Sequence, residues 1–337
     1  MAIQKAFGLG MFSRSSGPAF PGVVLEDTVL PISSLLPAAC ASRQVATLSH
    51  LMPDWSEVIA MITAAFEGKA SWRASDHADA MALSELSVHM PLSTPSQIIC
   101  VGANYKKHVI DLVTAQGAGA DTEGMSVEER REHVTRRVEA RAASGTPYAF
   151  PKLMSSLAGP AQAITLPDDA EQFDWELELG LVIAKPAWRV KRSEAMQYVA
   201  GYMIVNDLTR RELVYRPDLK SLGSDWLRAK SGPEFMPTGP FLVPAQFVEN
   251  PHDLRIQLKV NDIVMQDEST ADMIFDIPRL IEYLTSYVRL LPGDIIATGS
   301  PAGNGAHHGR FLRPGDIMEG TIEGLGRQRN TIVSEGI

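Results

Sequence analysis

Cysteine, long hydrophobic runs and positive charge are all scarce in this chain of 337 residues. The two cysteines, Cys40 and Cys100, are too few for a disulfide framework and have no metal-type spacing, so a reducing compartment is expected. No apolar run approaches the roughly 20 residues that span a bilayer. The net charge of -9, with no Lys/Arg-rich run, argues against nucleic-acid binding. What remains is ordinary for a globular enzyme, with 45% hydrophobic and 21% charged residues.

Several catalytic signatures are missing as well. There is no Gly-x-Ser-x-Gly elbow, Cys/His pair or Walker loop, which disfavours nucleophilic hydrolysis and phosphoryl transfer. Strands and helices do not alternate, and no Gly-rich loop opens a helix, so a doubly wound nucleotide-binding fold is not expected. Residues 1–8 lack the charged and apolar regions of a signal peptide. A cytoplasmic protein is therefore predicted.

The chain is long enough for one large domain and one smaller one. Residues 1–96 are predicted to form a small α+β accessory domain, with a hairpin near 23–32 and a helix that carries Trp55 and Phe66 at helical spacing. Residues 97–337 are rich in strand patterns and form the predicted main domain. It should begin with a buried strand at 97–102 and contain a hairpin near 256–265 and one helix at about 276–291.

An insert at residues 114–145 interrupts this strand-rich part. Ser126 and Glu129 fit a capping box at the start of a highly charged helix. An exposed helix is the ordinary interpretation. A mobile lid over a site is the alternative, because long inserts are often functional and Gly117-Ala-Gly119 would give the segment a flexible entry.

Two glutamates define the most informative stretch of the sequence. In the strand pattern around DWELELGLVI (174–183), alternation places Glu176 and Glu178 on the same face. Paired carboxylates repel and are costly to desolvate, whereas a hard divalent cation would stabilise both. A third carboxylate, Asp207, ends the next apolar run. The alternative is an edge strand with a solvated acidic face.

A histidine and a lysine add possible catalytic groups. If the chain turns helical after the strand at 97–102, His108 and Asp111 lie at i and i+3, where the carboxylate would make the imidazole a general base. An incidental surface pair is the alternative. Lys230 would offset the carboxylates or stabilise an oxyanion if it enters the cleft, although a lone lysine is more often solvated. His307 and His308 make a poor bidentate metal pair and are expected in a loop.

Seven segments together resemble the fumarylacetoacetate hydrolase family across roughly residues 97–334. They occur in this order: 99–108 (ICVGANYKKH), 175–182 (WELELGLV), 201–211 (GYMIVNDLTRR), 229–231 (AKS), 258–262 (LKVND), 273–278 (MIFDIP) and 292–301 (PGDIIATGSP). The resemblance implies a β-rich α+β fold, a mixed β-sandwich roll, and a homodimer. It also implies a catalytic Mg²⁺, Mn²⁺ or Ca²⁺ ion.

The resemblance also implies roles for individual residues. Glu176, Glu178 and Asp207 would bind the metal, His108 and Asp111 would activate water, and Lys230 would be the active-site lysine. The substrate-side positions would be Asn104, Tyr105, Arg211, Gln266 and Thr298. Two departures are visible: Asp111 stands where the family has glutamate, and the loop after Pro301 reads Ala-Gly-Asn-Gly instead of Lys-Gly-Val-Gly.

The implied activity is hydrolysis of a C–C bond in acylpyruvate-type diketo acids, such as fumarylpyruvate-like compounds from aromatic catabolism. Oxaloacetate decarboxylation, enol–keto isomerisation and hydration of 2-oxopentenoates remain alternatives, because all proceed through a similar enolate. A non-catalytic relative that only binds a metal or ligand is an alternative of another class. The complete set of catalytic residue types argues against it.

Overall fold

The computed structural model describes residues 6–15, 17–43, 45–66, 77–115 and 122–336. The first part of the chain builds an antiparallel five-stranded sheet in the order β4-β3-β2-β1-β5. The predicted hairpin is confirmed: it consists of β2 and β3 of this sheet, joined by a turn at Glu26–Asp27. The strands are β1 (Gly8–Ser13), β2 (Phe20–Leu25), β3 (Thr28–Pro31), β4 (Met81–Ala82) and β5 (Ser87–His89).

This first sheet packs against the rest of the protein. Leu9 and Leu242 exchange two backbone hydrogen bonds of 2.9 and 2.8 Å. The indole Nε1 of Trp55 donates to the carbonyl of Ala200 over 2.9 Å. Hydrophobic residues from both parts of the chain form one buried cluster. A boundary near residue 96 stays a prediction, and the two parts on either side of it share a core.

The central sheet has six strands in the order β15-β12-β11-β18-β6-β7, and only β18 and β6 run parallel. The predicted buried strand at 97–102 is confirmed as β6. The acidic strand β11 lies in the interior of the sheet, between β12 and β18. The strands are β6 (Ile98–Gly102), β7 (Tyr148–Lys152), β11 (Leu177–Ile183), β12 (Val199–Asn206), β15 (Val243–Pro244) and β18 (Ile295–Ala297).

A second five-stranded sheet, in the order β17-β16-β19-β20-β9, covers the central one. Leu177 of β11 lies so close to β19 that a Cβ at Gly320 would come within 2.5 Å of its side chain. The predicted hairpin is confirmed by β16 and β17. The strands are β9 (Ile164–Leu166), β16 (Arg255–Val260), β17 (Ile263–Ser269), β19 (Ile317–Ile322) and β20 (Gly326–Ser334). Two short ladders complete the roll: β8 (Leu157–Ala158) with β14 (Met236–Pro237), and β10 (Phe173–Asp174) with β13 (Thr209–Arg210).

The helices lie between and around the sheets. They are α1 (Ile32–Leu35), α2 (Pro37–Arg43), α3 (Trp55–Phe66), α4 (Lys106–Ala115), α5 (Val127–Ser144), α6 (Arg211–Val214), α7 (Trp226–Lys230), α8 (Ile277–Thr285) and α9 (Gly305–His308). Short 3-10 helices occupy Leu48–Asp54, Leu83–Glu85, Met154–Ser156, Arg192–Tyr198, Pro217–Leu222, Ala245–Phe247 and Thr270–Asp272. Within the described ranges, no helix is long and apolar enough to cross a membrane.

The helix predicted at 276–291 is shorter than expected. It begins after its N-cap Asp276, whose side chain accepts from the backbone N–H of Arg279 over 2.9 Å, and it ends at Thr285. The carbonyl of Thr285 accepts from the N–H of Arg189, and Leu290 pairs with Ala187. Because these residues form tertiary hydrogen bonds, the helix ends at Thr285, although apolar residues continue at helical spacing beyond that point.

The insert at 114–145 contains the predicted helix as α5. Its capping box is confirmed, since Ser126 accepts from the N–H of Glu129 and the Glu129 carboxylate accepts from the N–H of Ser126. The helix packs against α4 and buries Val134 and Val138. The flexible entry predicted at Gly117-Ala-Gly119 lies outside the described residues.

Candidate metal centre and active site

The pairing of β11 with β12 brings three carboxylates together. Glu176 and Asp207 stand side by side because the Asp207 N–H donates to the Glu176 carbonyl over 2.9 Å, and Glu178 lies two residues further along the strand. Oxygen atoms of all three side chains lie within 4.8 Å of one another. Glu176, Glu178 and Asp207 are 7%, 1% and 1% exposed. A solvated acidic edge is therefore excluded, because Glu178 lies on the interior strand β11 and all three carboxylates are buried.

Three cationic side chains surround this cluster. Lys230, at the end of α7, places its Nζ 2.6 Å from Glu176 Oε2 and 2.5 Å from Asp207 Oδ2. Lys152, at the end of β7, holds the other oxygen of Asp207 over 2.5 Å. Arg211 binds Glu176 Oε1 through its Nη2. Both lysines are buried, so their charges act across a region of low dielectric.

The three carboxylates differ in their electrostatic environment. Burial acts to raise the pKa of Glu176, but the positive charges of Arg211 and Lys230 outweigh it and lower the pKa to about 2. Burial and the neighbouring charges of Asp207 and Glu176 raise the pKa of Glu178 well above its usual range. The anionic form is thus stabilised at Glu176 and destabilised at Glu178.

The donor set fits a hard divalent cation. Among the described residues, Glu178 accepts a hydrogen bond only from the backbone N–H of Gly299, over 2.7 Å, and no lysine or arginine pairs with it. Gly299 has φ +104°, and a Cβ there would lie 2.8 Å from the Cβ of Asn104, so glycine is required. Three buried carboxylates, one of them without a cationic partner, provide the oxygen ligands and negative charge that Mg²⁺, Mn²⁺ or Ca²⁺ requires.

His108 lies at the edge of the same site, on the first turn of α4. Burial lowers its pKa to about 4; the charge of Glu176 opposes this shift, while those of Arg211, Lys230 and His307 add to it. The imidazole is therefore neutral near pH 7 and able to accept a proton. Asp111 follows one turn later as predicted, but its carboxylate pairs with Arg131 of α5 over 2.8 Å. A hydrogen-bonded dyad of His108 and Asp111 stays a prediction.

Three predicted substrate-side residues, Asn104, Gln266 and Thr298, are fully buried and bonded to protein groups. Asn104 Nδ2 donates to the carbonyls of Phe275 and Thr298, and its Oδ1 accepts from the Phe275 N–H. Gln266 Oε1 accepts from the Leu177 N–H, and its Nε2 donates to Ser300 Oγ and the Pro301 carbonyl. Thr298 Oγ1 donates to the Leu179 carbonyl over 2.8 Å. These contacts favour a role in holding the loops around the site.

Tyr105 and Arg211 are placed differently. The Tyr105 hydroxyl is buried without a hydrogen-bond partner in the described part of the chain. Burial and the nearby charge of Glu178 raise its pKa, so it stays a neutral donor. Thr298 is the neighbouring side chain that favours the ionised form of the Tyr105 hydroxyl, against the larger effect of burial. Arg211 links the cluster to Asp174, whose Oδ2 accepts from Arg211 Nε over 2.8 Å.

Two buried charges were missed in the sequence. Lys152 is a lysine in the otherwise apolar strand YAFPK, a pattern that could have identified it. Asp174 opens the acidic stretch and accepts from the backbone N–H groups of Gly305 and Ala306. The prediction of a loop at His307 and His308 was wrong, because both lie on the short helix α9, where His308 Nε2 is 3.0 Å from the Met265 carbonyl.

Comparison with known proteins identifies the class. Residues 97–333 match the fumarylacetoacetate (FAA) hydrolase C-terminal family model, and the chain belongs to this family. Members of the family are hydrolases and isomerases. A 2,4-didehydro-3-deoxy-L-rhamnonate hydrolase of Sphingomonas sp. (strain SKA58) is 35% identical over 246 residues, which cover 72% of this chain and 75% of that protein. A mitochondrial oxaloacetate tautomerase of Xenopus laevis is 32% identical over 252 residues, covering 74% and 69%.

Solved structures extend the similarity to nearly the whole chain. A maleylpyruvate hydrolase from Sphingobium sp. SYK-6, in complex with manganese(II) and pyruvate, has a TM-score of 0.70 at 26% identity, covering 98% of this chain and 100% of that one. A 5-carboxymethyl-2-hydroxymuconate delta-isomerase from Mycobacterium smegmatis has a TM-score of 0.66 at 25% identity, with the same coverage. The predicted α+β fold of this family is confirmed.

Proposed function

We propose that this protein is a divalent-metal-dependent hydrolase that cleaves a C–C bond in acylpyruvate-type diketo acids. The observation that carries the proposal is the buried cluster of Glu176, Glu178 and Asp207, with Lys230 bridging two of the carboxylates and a neutral His108 beside them. A related maleylpyruvate hydrolase structure contains manganese(II) and pyruvate, which supports a 2-oxo acid as the ligand of this site.

Glu176, Glu178 and Asp207 would hold Mg²⁺, Mn²⁺ or Ca²⁺. A cation bound there would supply Lewis-acid polarisation of the 2-oxo acid. Burial acts to lower the pKa of Lys230, but the charges of Asp207 and Glu176 outweigh it and raise the pKa, so Lys230 keeps a positive charge between these two carboxylates. That charge would stabilise the enolate left by C–C cleavage.

His108 would act as the general base. In its neutral form it takes a proton from water as the water oxygen bonds to the carbonyl carbon of the acyl group. The C–C bond to the pyruvate methylene then breaks, and its electron pair passes to the pyruvate enolate. Return of a proton to that carbon gives pyruvate and the carboxylic acid of the acyl group.

A substrate panel tests this function directly. Acylpyruvates, oxaloacetate and 2-hydroxydienoates are assayed with magnesium or manganese by the loss of enol absorbance, and products are identified by chromatography. We expect acylpyruvate cleavage to need the metal. Full activity after exhaustive chelation, or no turnover of any acylpyruvate, would contradict the proposal.

A second candidate is an enol–keto tautomerase or oxaloacetate decarboxylase, and one observation favours it. Asp111 pairs with Arg131 and is not bonded to His108, whereas hydrolysis needs a well-activated water. Tautomerisation and decarboxylation do not need that water. His108→Ala should therefore reduce C–C hydrolysis at least tenfold more than oxaloacetate decarboxylation, following the about 10²–10⁴-fold contribution of a general base. Equal losses in both reactions would contradict the role given to His108.

The homodimer is part of the same proposal. The edge strand β7 carries the exposed ring of Tyr148, and the exposed Tyr287 lies beside that strand. A second copy of the chain would cover this open edge. Light scattering in solution should give twice the mass of 36.7 kDa, and the mass of one chain would contradict the dimer.

A further inference from the structure

Asn304 carries a buried amide that has no hydrogen-bond partner among the described residues. The residue is 1% exposed, and neither its Oδ1 nor its Nδ2 finds a hydrogen bond within the described part of the chain. Other buried asparagines do not share this state: Asn104, Asn206 and Asn330 all bond to backbone groups. Because an unpaired buried polar group is destabilising, such groups in native structures call for an explanation.

The position of Asn304 is tied to the metal-binding strand on both sides. The carbonyl of Gly303 accepts from Trp175 Nε1 over 3.0 Å. The N–H groups of Gly305 and Ala306 donate to the Asp174 carboxylate. Asp174 and Trp175 directly precede Glu176. These hydrogen bonds therefore fix the backbone on both sides of Asn304 relative to the carboxylate cluster.

The same segment lies beside the helix that carries His108. Helix α9, which begins just after Asn304, packs against α4, the helix of His108. His307 of α9 is close enough to His108 for its charge to help lower the histidine pKa. Asn304 therefore belongs to the side of the site where His108 would direct water at the acyl carbonyl. Lys230 and the carboxylates would hold the pyruvate end.

We infer that Asn304 is a specificity-determining residue that recognises a hydroxyl group on the acyl part of the substrate. The inference rests on the proposed function and narrows its substrate class to 2,4-dioxo acids that carry a hydroxyl next to the distal carbonyl. One hydroxyl satisfies both ends of the amide, since it accepts from Nδ2 and donates to Oδ1. A carboxylate offers only acceptors and would leave Oδ1 facing another oxygen, and an alkyl group would leave both atoms unpaired.

The test uses two acids that differ by one oxygen: 5-hydroxy-2,4-dioxopentanoate and 2,4-dioxopentanoate. Steady-state kcat/KM and the dissociation constant from calorimetry are measured with manganese for the wild-type enzyme and Asn304→Leu. The wild type should favour the hydroxylated acid by about tenfold to a hundredfold, in line with loss of one paired polar group. In Asn304→Leu this ratio should fall to within about threefold of one, mainly because the hydroxylated acid is bound less well.

Two controls separate recognition from folding and from the chemistry. His308→Ala alters the same short helix at its exposed side and should leave the ratio unchanged, with melting temperatures recorded for all variants. A wild-type ratio near one, an unchanged ratio in Asn304→Leu, or an equal change in His308→Ala would overturn the inference. So would a preference for an acid that ends in a carboxylate. If neither acid is cleaved but the binding ratio behaves as expected, the inference stands and the hydrolase proposal fails.

Discussion

Two groups of buried polar side chains lie next to each other in space and are stabilised in different ways. The first group, which we call the scaffold, includes Asn104 and Gln266. Both ends of each side-chain amide form hydrogen bonds with backbone or hydroxyl groups of the protein. In the proposed metal centre, Glu176, Glu178 and Asp207 lie close together, and Glu178 has no cationic partner among the described residues. A buried polar group whose hydrogen bonds are all made within the protein stabilises the fold. A buried charge without a partner is available to bind a ligand.

The largest effect should come from removing the unpaired charge of the metal centre. Glu178→Gln keeps the size of the side chain and an acceptor for the Gly299 N–H, but it loses a ligand charge. We expect turnover to fall by about 10³-fold or more and manganese binding, measured by calorimetry, to be lost, with little change in melting temperature. Asp267→Asn, at an exposed pair with Arg255, is the matched control. Normal manganese affinity in Glu178→Gln would remove Glu178 from the metal site.

The scaffold should respond in the opposite way. Asn104→Ala leaves the N–H and carbonyl of Phe275 and the carbonyl of Thr298 without their buried partner. The free energy of unfolding should fall by about 2–4 kcal/mol, read from urea denaturation. The folded variant should still bind manganese within about tenfold of the wild-type affinity. Asn250→Ala, at an exposed position, is the control and should change stability by less than about 0.5 kcal/mol. Unchanged stability in Asn104→Ala would show that Asn104 is not a scaffold residue.

The pH dependence of cleavage tests the protonation state of His108 in the candidate site. The pKa of His108 is lowered from 6.5 to about 4 by burial and by Arg211, Lys230 and His307, against the opposing charge of Glu176. Only the neutral imidazole accepts a proton, so kcat/KM should hold between about pH 5 and 7 and fall as the pH drops through about 4. Profiles are recorded at saturating manganese, with metal occupancy followed separately. An acid limb centred near 6.5 would contradict a His108 imidazole that is neutral at pH 5 to 7.

The smallest effect concerns the insert at residues 114–145, which we propose is a ligand-gated lid. Its helix α5 is joined to the site through exposed contacts, Arg131 to Asp111 and Arg141 to the Ala103 carbonyl. Oxalate with manganese, an analogue of the pyruvate enolate, should slow limited proteolysis within the insert several-fold. Cleavage outside the insert serves as the internal control. Cleavage of the insert that is equally fast, or absent, in both conditions would contradict a lid.

Local patterns were sufficient for much of the fold. The strand that carries Glu178, the hairpin at 256–265 and the capping box at Ser126 each depend on residues close in sequence. The hairpin and the capping box are confirmed. The strand predicted around 174–183 is confirmed over Leu177–Ile183, while Asp174 belongs to β10 and Glu176 lies between the two strands. The end of α8 was predicted too late, because the carbonyl of Thr285 is taken by Arg189, almost a hundred residues away.

In the candidate site, too, some features could be predicted from the sequence and others depend on tertiary contacts. Spacing and family motifs were enough to predict that Glu176, Glu178, Asp207, His108 and Lys230 belong together. They could not show that Lys152 binds Asp207, or that Asp111 turns to Arg131, because each partner comes from a distant segment. They also could not show that the side-chain amides of Gln266 and Asn104 form hydrogen bonds with other groups of the protein.

By itself, the sequence determined the strand alternation, the motif order and the identity of the carboxylates, because these follow from neighbouring residues and side-chain chemistry. Only the tertiary structure decided which polar atoms are satisfied. That depends on the register between β11 and β12 and on the loops that cover them. Glu178 and Asn304 are the two examples. Both are buried, and among the described residues Glu178 has one hydrogen-bond donor and Asn304 has none, which their sequence neighbours do not reveal.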